Sequence, residues 1–165
     1  MTEIGLWTIA ARAPERVAVI EPDGTVVSYA ALAARADQLG RGLQALGLAA
    51  GSTVAGLLPN GADALALFFA ALETGLYVVP LNWHLAAAEV AYILDDSEAG
   101  AFIAHERFAA VAAAAADLAG IAASARFAVG AVPGFAPLAD LGAGDRKSTR
   151  LNSSHSDSSR MPSSA

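Results

Sequence analysis

The chain has 165 residues, of which 55% are hydrophobic and 16% charged, a length that fits one domain or one part of a larger one. A net charge of −6 argues against a nucleic-acid groove, which needs clustered Lys and Arg, and the absence of cysteine removes disulfide frameworks, thiolate nucleophiles and cysteine-ligated zinc. The charge is unevenly spread: residues 1–145 hold six arginines against fifteen acidic residues (−9), whereas residues 146–165 carry +3, and Lys147 is the only lysine. Met1-Thr2-Glu3-Ile4 lacks the basic and apolar regions of a signal peptide. The longest apolar runs, Ala64–Leu72 and Phe108–Ala116, are nine residues each. A membrane helix needs about 20, so the expectation is a soluble cytoplasmic protein with no membrane span.

In chain order, residues 6–13 read as a short helix stopped by Pro14. Val17–Glu21 and Thr25–Tyr29 are β-branched runs joined by the turn signal Pro22-Asp23-Gly24, which predicts a hairpin. Ser28 can cap a helix reaching about Leu46, with Leu32, Ala36, Leu39, Leu43 and Leu46 on one stripe and Gly47 as its stop. Gly40 and Gly42 within it suit close helix packing. Thr53–Leu58 is a strand, Asn60 a candidate cap for a helix over 62–73, and Tyr77–Leu81 an apolar run after Gly75. A helix over 86–95, a strand over 100–104, an alanine-rich helix over 107–119 and a strand over 126–129 follow, with Pro133–Pro137 as loop. Alternation of helices with wholly apolar strands predicts an α/β fold: a mainly parallel sheet flanked by helices on both faces, after an N-terminal β-hairpin.

The tail is a different material. Residues 148–165 hold eight serines, against four in all the preceding residues. A segment so poor in apolar side chains cannot offset its ordering entropy, so disorder is expected. The wording Arg146-Lys147-Ser148-Thr149-Arg150-Leu151-Asn152-Ser153-Ser154-His155 resembles translated sequencing-adapter read-through. On that resemblance 146–165 is an artefactual tail and the natural gene is cut near Asp145. A biological serine-rich linker is the alternative.

Several motifs fail on inspection. Arg146-Lys147-Ser148 lacks the glycines of a phosphate-binding loop, and Gly40-Arg41-Gly42 lies within a helix rather than after a strand. His84, His105 and His155 have no metal-ligand spacing. Asp95-Asp96 reads as a solvated helix end. Trp83, Phe68, Phe69 and Tyr77 suit a sheet-and-helix core better than an acyl pocket.

Four segments in series carry a family resemblance. Thr25-Val26-Val27-Ser28-Tyr29-Ala30-Ala31-Leu32 resembles the first motif of the adenylate-forming (AMP-binding) enzymes. Leu72-Glu73-Thr74-Gly75-Leu76-Tyr77-Val78-Val79-Pro80-Leu81-Asn82 resembles the second. Leu58-Pro59-Asn60 and Glu89-Val90-Ala91-Tyr92-Ile93-Leu94-Asp95-Asp96-Ser97 match the intervening and following blocks, and the wording around Asn82-Trp83-His84-Leu85 is most like bacterial fatty acyl-CoA ligases. The resemblance covers about residues 6–140. It implies that 1–145 are the incomplete N-terminal portion of the large domain of an acyl-CoA synthetase.

Such an enzyme uses Mg-ATP to convert a fatty or other carboxylic acid to an acyl-adenylate, then forms the coenzyme A thioester. The chemistry needs a glycine-rich loop with a lysine on the phosphates, an acidic metal ligand and a late catalytic lysine. Residues 1–146 contain no lysine and no such loop. No catalytic residue or metal ligand is therefore carried over, no cofactor is expected to be retained, and ATP, Mg and coenzyme A belong to the parent enzyme with its missing C-terminal portion. Ala31 stands where the family has Glu, which removes a capping box with Ser28, and Ser52 replaces a usual Asp. His84 stands where some acyl-CoA ligases place an arginine on a coenzyme A phosphate, and is a candidate for that contact, with a partly exposed loop histidine as the alternative. Two other readings of the chain stay open: a free-standing α/β binding or interaction module, and a fragment of another adenylate-former such as an aryl-CoA ligase or a peptide-synthetase adenylation domain.

Overall fold

The computed structural model describes residues 5–141. The expectations for the tail over 146–165 and for a boundary near Asp145 lie outside the described residues. The chain opens with helix α1 (Leu6–Arg12), then strands β1 (Val17–Ile20) and β2 (Val26–Ser28), which pair antiparallel as the expected hairpin. At its turn the Asp23 carboxylate accepts the Thr25 backbone N–H at 2.9 Å, a bond that holds this carboxyl below its ordinary range.

Helix α2 (Tyr29–Ala45) starts where expected: the Ser28 hydroxyl accepts the Ala31 N–H at 3.2 Å. Strand β3 (Thr53–Leu57), helix α3 (Ala62–Thr74), strand β4 (Tyr77–Pro80), helix α4 (Ala87–Asp96), strand β5 (Ala99–His105), helix α5 (Ala109–Leu118) and strand β6 (Arg126–Val129) follow. A 3₁₀ turn over Glu106–Phe108 precedes α5, so the helix read from position 107 begins two residues later. Gly75 ends α3 in the left-handed conformation (φ 72°), the geometry that favours glycine at a helix terminus. The residues read as loop before Pro137 contain a short strand β7 (Ala136–Pro137), too short to leave a periodic signature. It pairs parallel to β6 at the sheet edge, where a proline is tolerated.

Strands β3 to β7 form one wholly parallel sheet in the order β4-β3-β5-β6-β7. Side chains alternate across it. Val54, Ala101, Ile103 and Phe127 point into a core shared with α1, α2 and α3. Ala55, Leu57, Phe102, Ala104 and Ala128 point into a second core with α4 and α5. The α2 stripe reading holds for Leu32, Ala36, Leu39 and Leu43, all buried, while Leu46 lies past the last helical residue and is exposed. In α5 the buried residues are Ala112, Ala115 and Ala116, a small-residue stripe that brings the helix close to the sheet.

Gly40 faces Thr74 across the α2–α3 contact, where an added Cβ would stand 3.2 Å from the threonine methyl. Beside it, the Trp7 indole N–H donates to Asp37 Oδ1 at 2.7 Å and ties α1 to α2. The core reading of the aromatics is corrected for three of four. Phe69 packs against the first core and meets Trp7 edge to face, but Phe68, Tyr77 and Trp83 are exposed. Their positions on the outer face of α3, on edge strand β4 and in the loop after it place them outside both cores.

Phe102 is fully buried and packs edge to face on Phe135 at 5.5 Å. Phe102→Ala is expected to lower unfolding free energy by about 3–5 kcal/mol in urea denaturation. Burial, and the nearby Asp37 carboxylate, raise the Glu73 carboxyl above its ordinary range against the opposing pull of Arg41. The native state thus holds this proton more tightly than the unfolded chain, and Glu73 costs stability once the pH rises above the ordinary carboxyl range. Glu73→Gln is expected to raise the denaturation midpoint at pH 7 and to leave it unchanged well below that range.

Candidate functional site

From β3 the chain crosses to β4 on one side, then returns past β3 to β5 on the other. This reversal of direction makes the carboxyl ends of β3 and β5 the switch point of the sheet, the place where open parallel sheets bind ligands. Three segments border it: 58–61 after β3, 81–86 after β4, and the 3₁₀ turn Glu106–Phe108 after β5.

In many such folds the first helix N-terminus at this point receives a phosphate. Here it is already filled. The Asn60 cap expected for α3 does not form; the N-cap residue is Gly61, and the Ala62 N–H donates to Glu21 Oε1 at 2.8 Å. A carboxylate from the hairpin therefore takes the position that an anion would hold, and satisfies a helix-end donor.

His84, the one binding residue expected from the sequence, lies exposed in the loop after β4. Its backbone N–H donates to Asn82 Oδ1 at 3.0 Å, and its imidazole stacks on Trp83 with centroids 3.5 Å apart. The structure adds partners from the end of β5. Phe108 lies nearly parallel to Trp83 at 6.1 Å, and the Arg107 guanidinium carbon stands 5.8 Å from both ring centroids. His105 Nδ1 accepts the Arg107 backbone N–H at 3.0 Å, which leaves the proton of a neutral ring on Nε2. Trp83, His84, Arg107 and Phe108 are thus one aromatic and basic surface. Arg107 and Phe108 were missed in the sequence because they reach Trp83 only through the packing of β4 and β5 on either side of β3. The one available signal was an arginine within an acidic, alanine-rich stretch.

An open cleft of about 460 Å³ lies between α2, the start of α3 and the ends of β6 and β7. Leu39, Val129, Pro137 and Leu138 line it, and Arg35 and Asp63 pair across it at 3.3 Å. Among the described residues no group of His, Asp and Glu could hold a metal ion. The described residues contain no lysine. No described helix is long and apolar enough to cross a membrane.

The sheet order, the flanking helices and the hairpin are those of an adenylate-forming enzyme domain, as the motif series implied. The family model described as AMP-binding enzyme matches residues 6–153, and the chain belongs to that family. It is 42% identical over 101 residues to the long-chain-fatty-acid–CoA ligase FadD13 of Mycobacterium tuberculosis, a match covering 59% of this chain and 20% of that protein. It is 36% identical over 101 residues to a feruloyl-CoA synthase of Amycolatopsis sp, covering 61% of this chain and 21% of that protein. A solved fatty acyl CoA synthetase of Mycobacterium tuberculosis superposes with a TM-score of 0.66 at 32% identity, covering 92% of this chain and 28% of the other. The chain thus spans about a fifth of the length of the curated relatives it matches.

Removing the carboxylate at the α3 N-terminus is expected to destabilise the fold modestly. Glu21→Ala should lower unfolding free energy by about 1 kcal/mol, the usual worth of a helix cap, in urea denaturation.

Proposed function

We propose that this chain is the N-terminal portion of the large domain, residues 1–145, of an acyl-CoA ligase acting in the cytoplasm. The parent enzyme joins a fatty or other carboxylic acid to ATP, releasing pyrophosphate, and then transfers the acyl group from the adenylate to the thiol of coenzyme A, releasing AMP. The observation that carries this reading is the 42% identity to a long-chain-fatty-acid–CoA ligase, in a chain whose family match runs over residues 6–153. ATP, Mg and coenzyme A are the parent's cofactors. The segment alone supplies the sheet, its helices and the surface after β4, where His84 contacts a phosphate of coenzyme A.

The aryl-CoA ligase reading keeps a specific support, the 36% identity to a feruloyl-CoA synthase. Assaying the intact parent with fatty and aromatic acids separates the two. The 165-residue chain is expected to show no carboxylate-dependent exchange of labelled pyrophosphate into ATP. Measurable exchange would overturn the fragment reading. In the parent, His84→Ala is expected to weaken coenzyme A binding, and unchanged affinity would remove the phosphate role.

A further inference from the structure

We propose that His105 makes the turn after β5 a pH-sensitive clasp: its neutral imidazole holds Arg107 and Phe108 against Trp83, and protonation of the ring releases them. The clasp belongs to the fold and does not depend on what this surface binds.

The turn Glu106–Phe108 is three residues long and carries both groups that meet Trp83. A turn so short makes few bonds of its own, and its first N–H groups have no helical partner. His105 supplies one, since its Nδ1 accepts the Arg107 N–H at 3.0 Å. Ser, Thr, Asn and Asp usually take this role, and each keeps its acceptor across the physiological pH range. An imidazole does not. It accepts through Nδ1 only when neutral. The imidazolium carries a proton on each nitrogen, so Nδ1–H then faces the Arg107 N–H, donor against donor.

The surroundings offer the imidazolium nothing in exchange. The His105 and Phe108 centroids stand 6.5 Å apart, beyond the distance at which a cation gains from a ring face. Charged groups near the strand end are Glu106 and Arg107 on its own turn, His84 after β4 and Glu21 at the start of α3. Arg35 of α2 and Asp63 of α3 lie beyond Val129, the β6 residue paired with His105. The carboxylates are engaged elsewhere. Glu106 Oε2 accepts the Ala131 N–H at 3.0 Å, Glu21 Oε1 accepts the Ala62 N–H at 2.8 Å, and Asp63 pairs with Arg35 at 3.3 Å. Arg107, two positions along, repels a positive ring and adds to the release.

The test follows the 165-residue chain by NMR from about pH 8 to pH 5, the range in which histidine changes charge. Three signals are read together: the His105 ring, the Arg107 amide and the Trp83 indole N–H. Protection of the Arg107 amide, corrected for intrinsic exchange, is expected to fall about fivefold, the loss of one cap. The indole signal should move with it, both sharing the midpoint of the His105 ring. In His105→Asn the side-chain oxygen accepts the same N–H at every pH, so protection should stay level on acidification. His84→Gln removes the other imidazole beside Trp83 and should leave the Arg107 change intact. A His105 ring that titrates without change at the Arg107 amide overturns the clasp in the wild-type chain alone. Persistence of the fall in His105→Asn, or its disappearance in His84→Gln, overturns it as well.

Discussion

The rest of the structure depends on the burial of β3 on both faces. Its five residues send Val54 into one core and Ala55 and Leu57 into the other, and each of these side chains is fully buried. A strand with no solvent face needs hydrogen-bonding partners on both edges and helices above and below. β4 and β5 take the edges, β4 in register from Thr53 onward and β5 from Val54 onward, after a shift between Thr53 and Val54. Right-handed crossovers then put α3 on one face and α4 on the other. The switch point at the carboxyl ends, and the meeting there of residues 83–84 with 105–108, follow from that placement.

The elements were largely legible in the sequence because their signals are local. The four-and-three spacing on α2, the turn at Pro22-Asp23-Gly24 and the glycine after α3 each act over a few residues. Strand β7 was not legible, since two residues have no period. The Asn60 cap failed for a different reason: a carboxylate 41 positions away in the chain reached the helix terminus first. The exposed aromatics failed similarly, because hydrophobicity alone does not say whether a loop after an edge strand turns inward. His84 was legible only through family wording, and Arg107 not at all, since its partners come together in space rather than in sequence.

The two cores differ in character, and the difference bears on how the domain is built. The first takes Leu32, Leu39 and Leu43 from α2, packed against Leu67 and four alanines of α3, and is tied to α1 through the Trp7–Asp37 bond. The second relies on alanines of α5 laid close against Phe102 and Ala104. Close packing of small side chains leaves little room for adjustment, so volume changes are felt more directly there than around the flexible leucines of the first core.

The carboxylate that closes the α3 terminus also links two units that share no strand pairing. The hairpin forms a sheet of its own, yet Glu21, at its turn, holds the first amide of a central helix. Local opening of the hairpin therefore exposes the Ala62 amide to solvent without breaking the five-stranded sheet. Hydrogen exchange at that amide is thereby coupled to the opening of a β-turn 41 positions away in the chain.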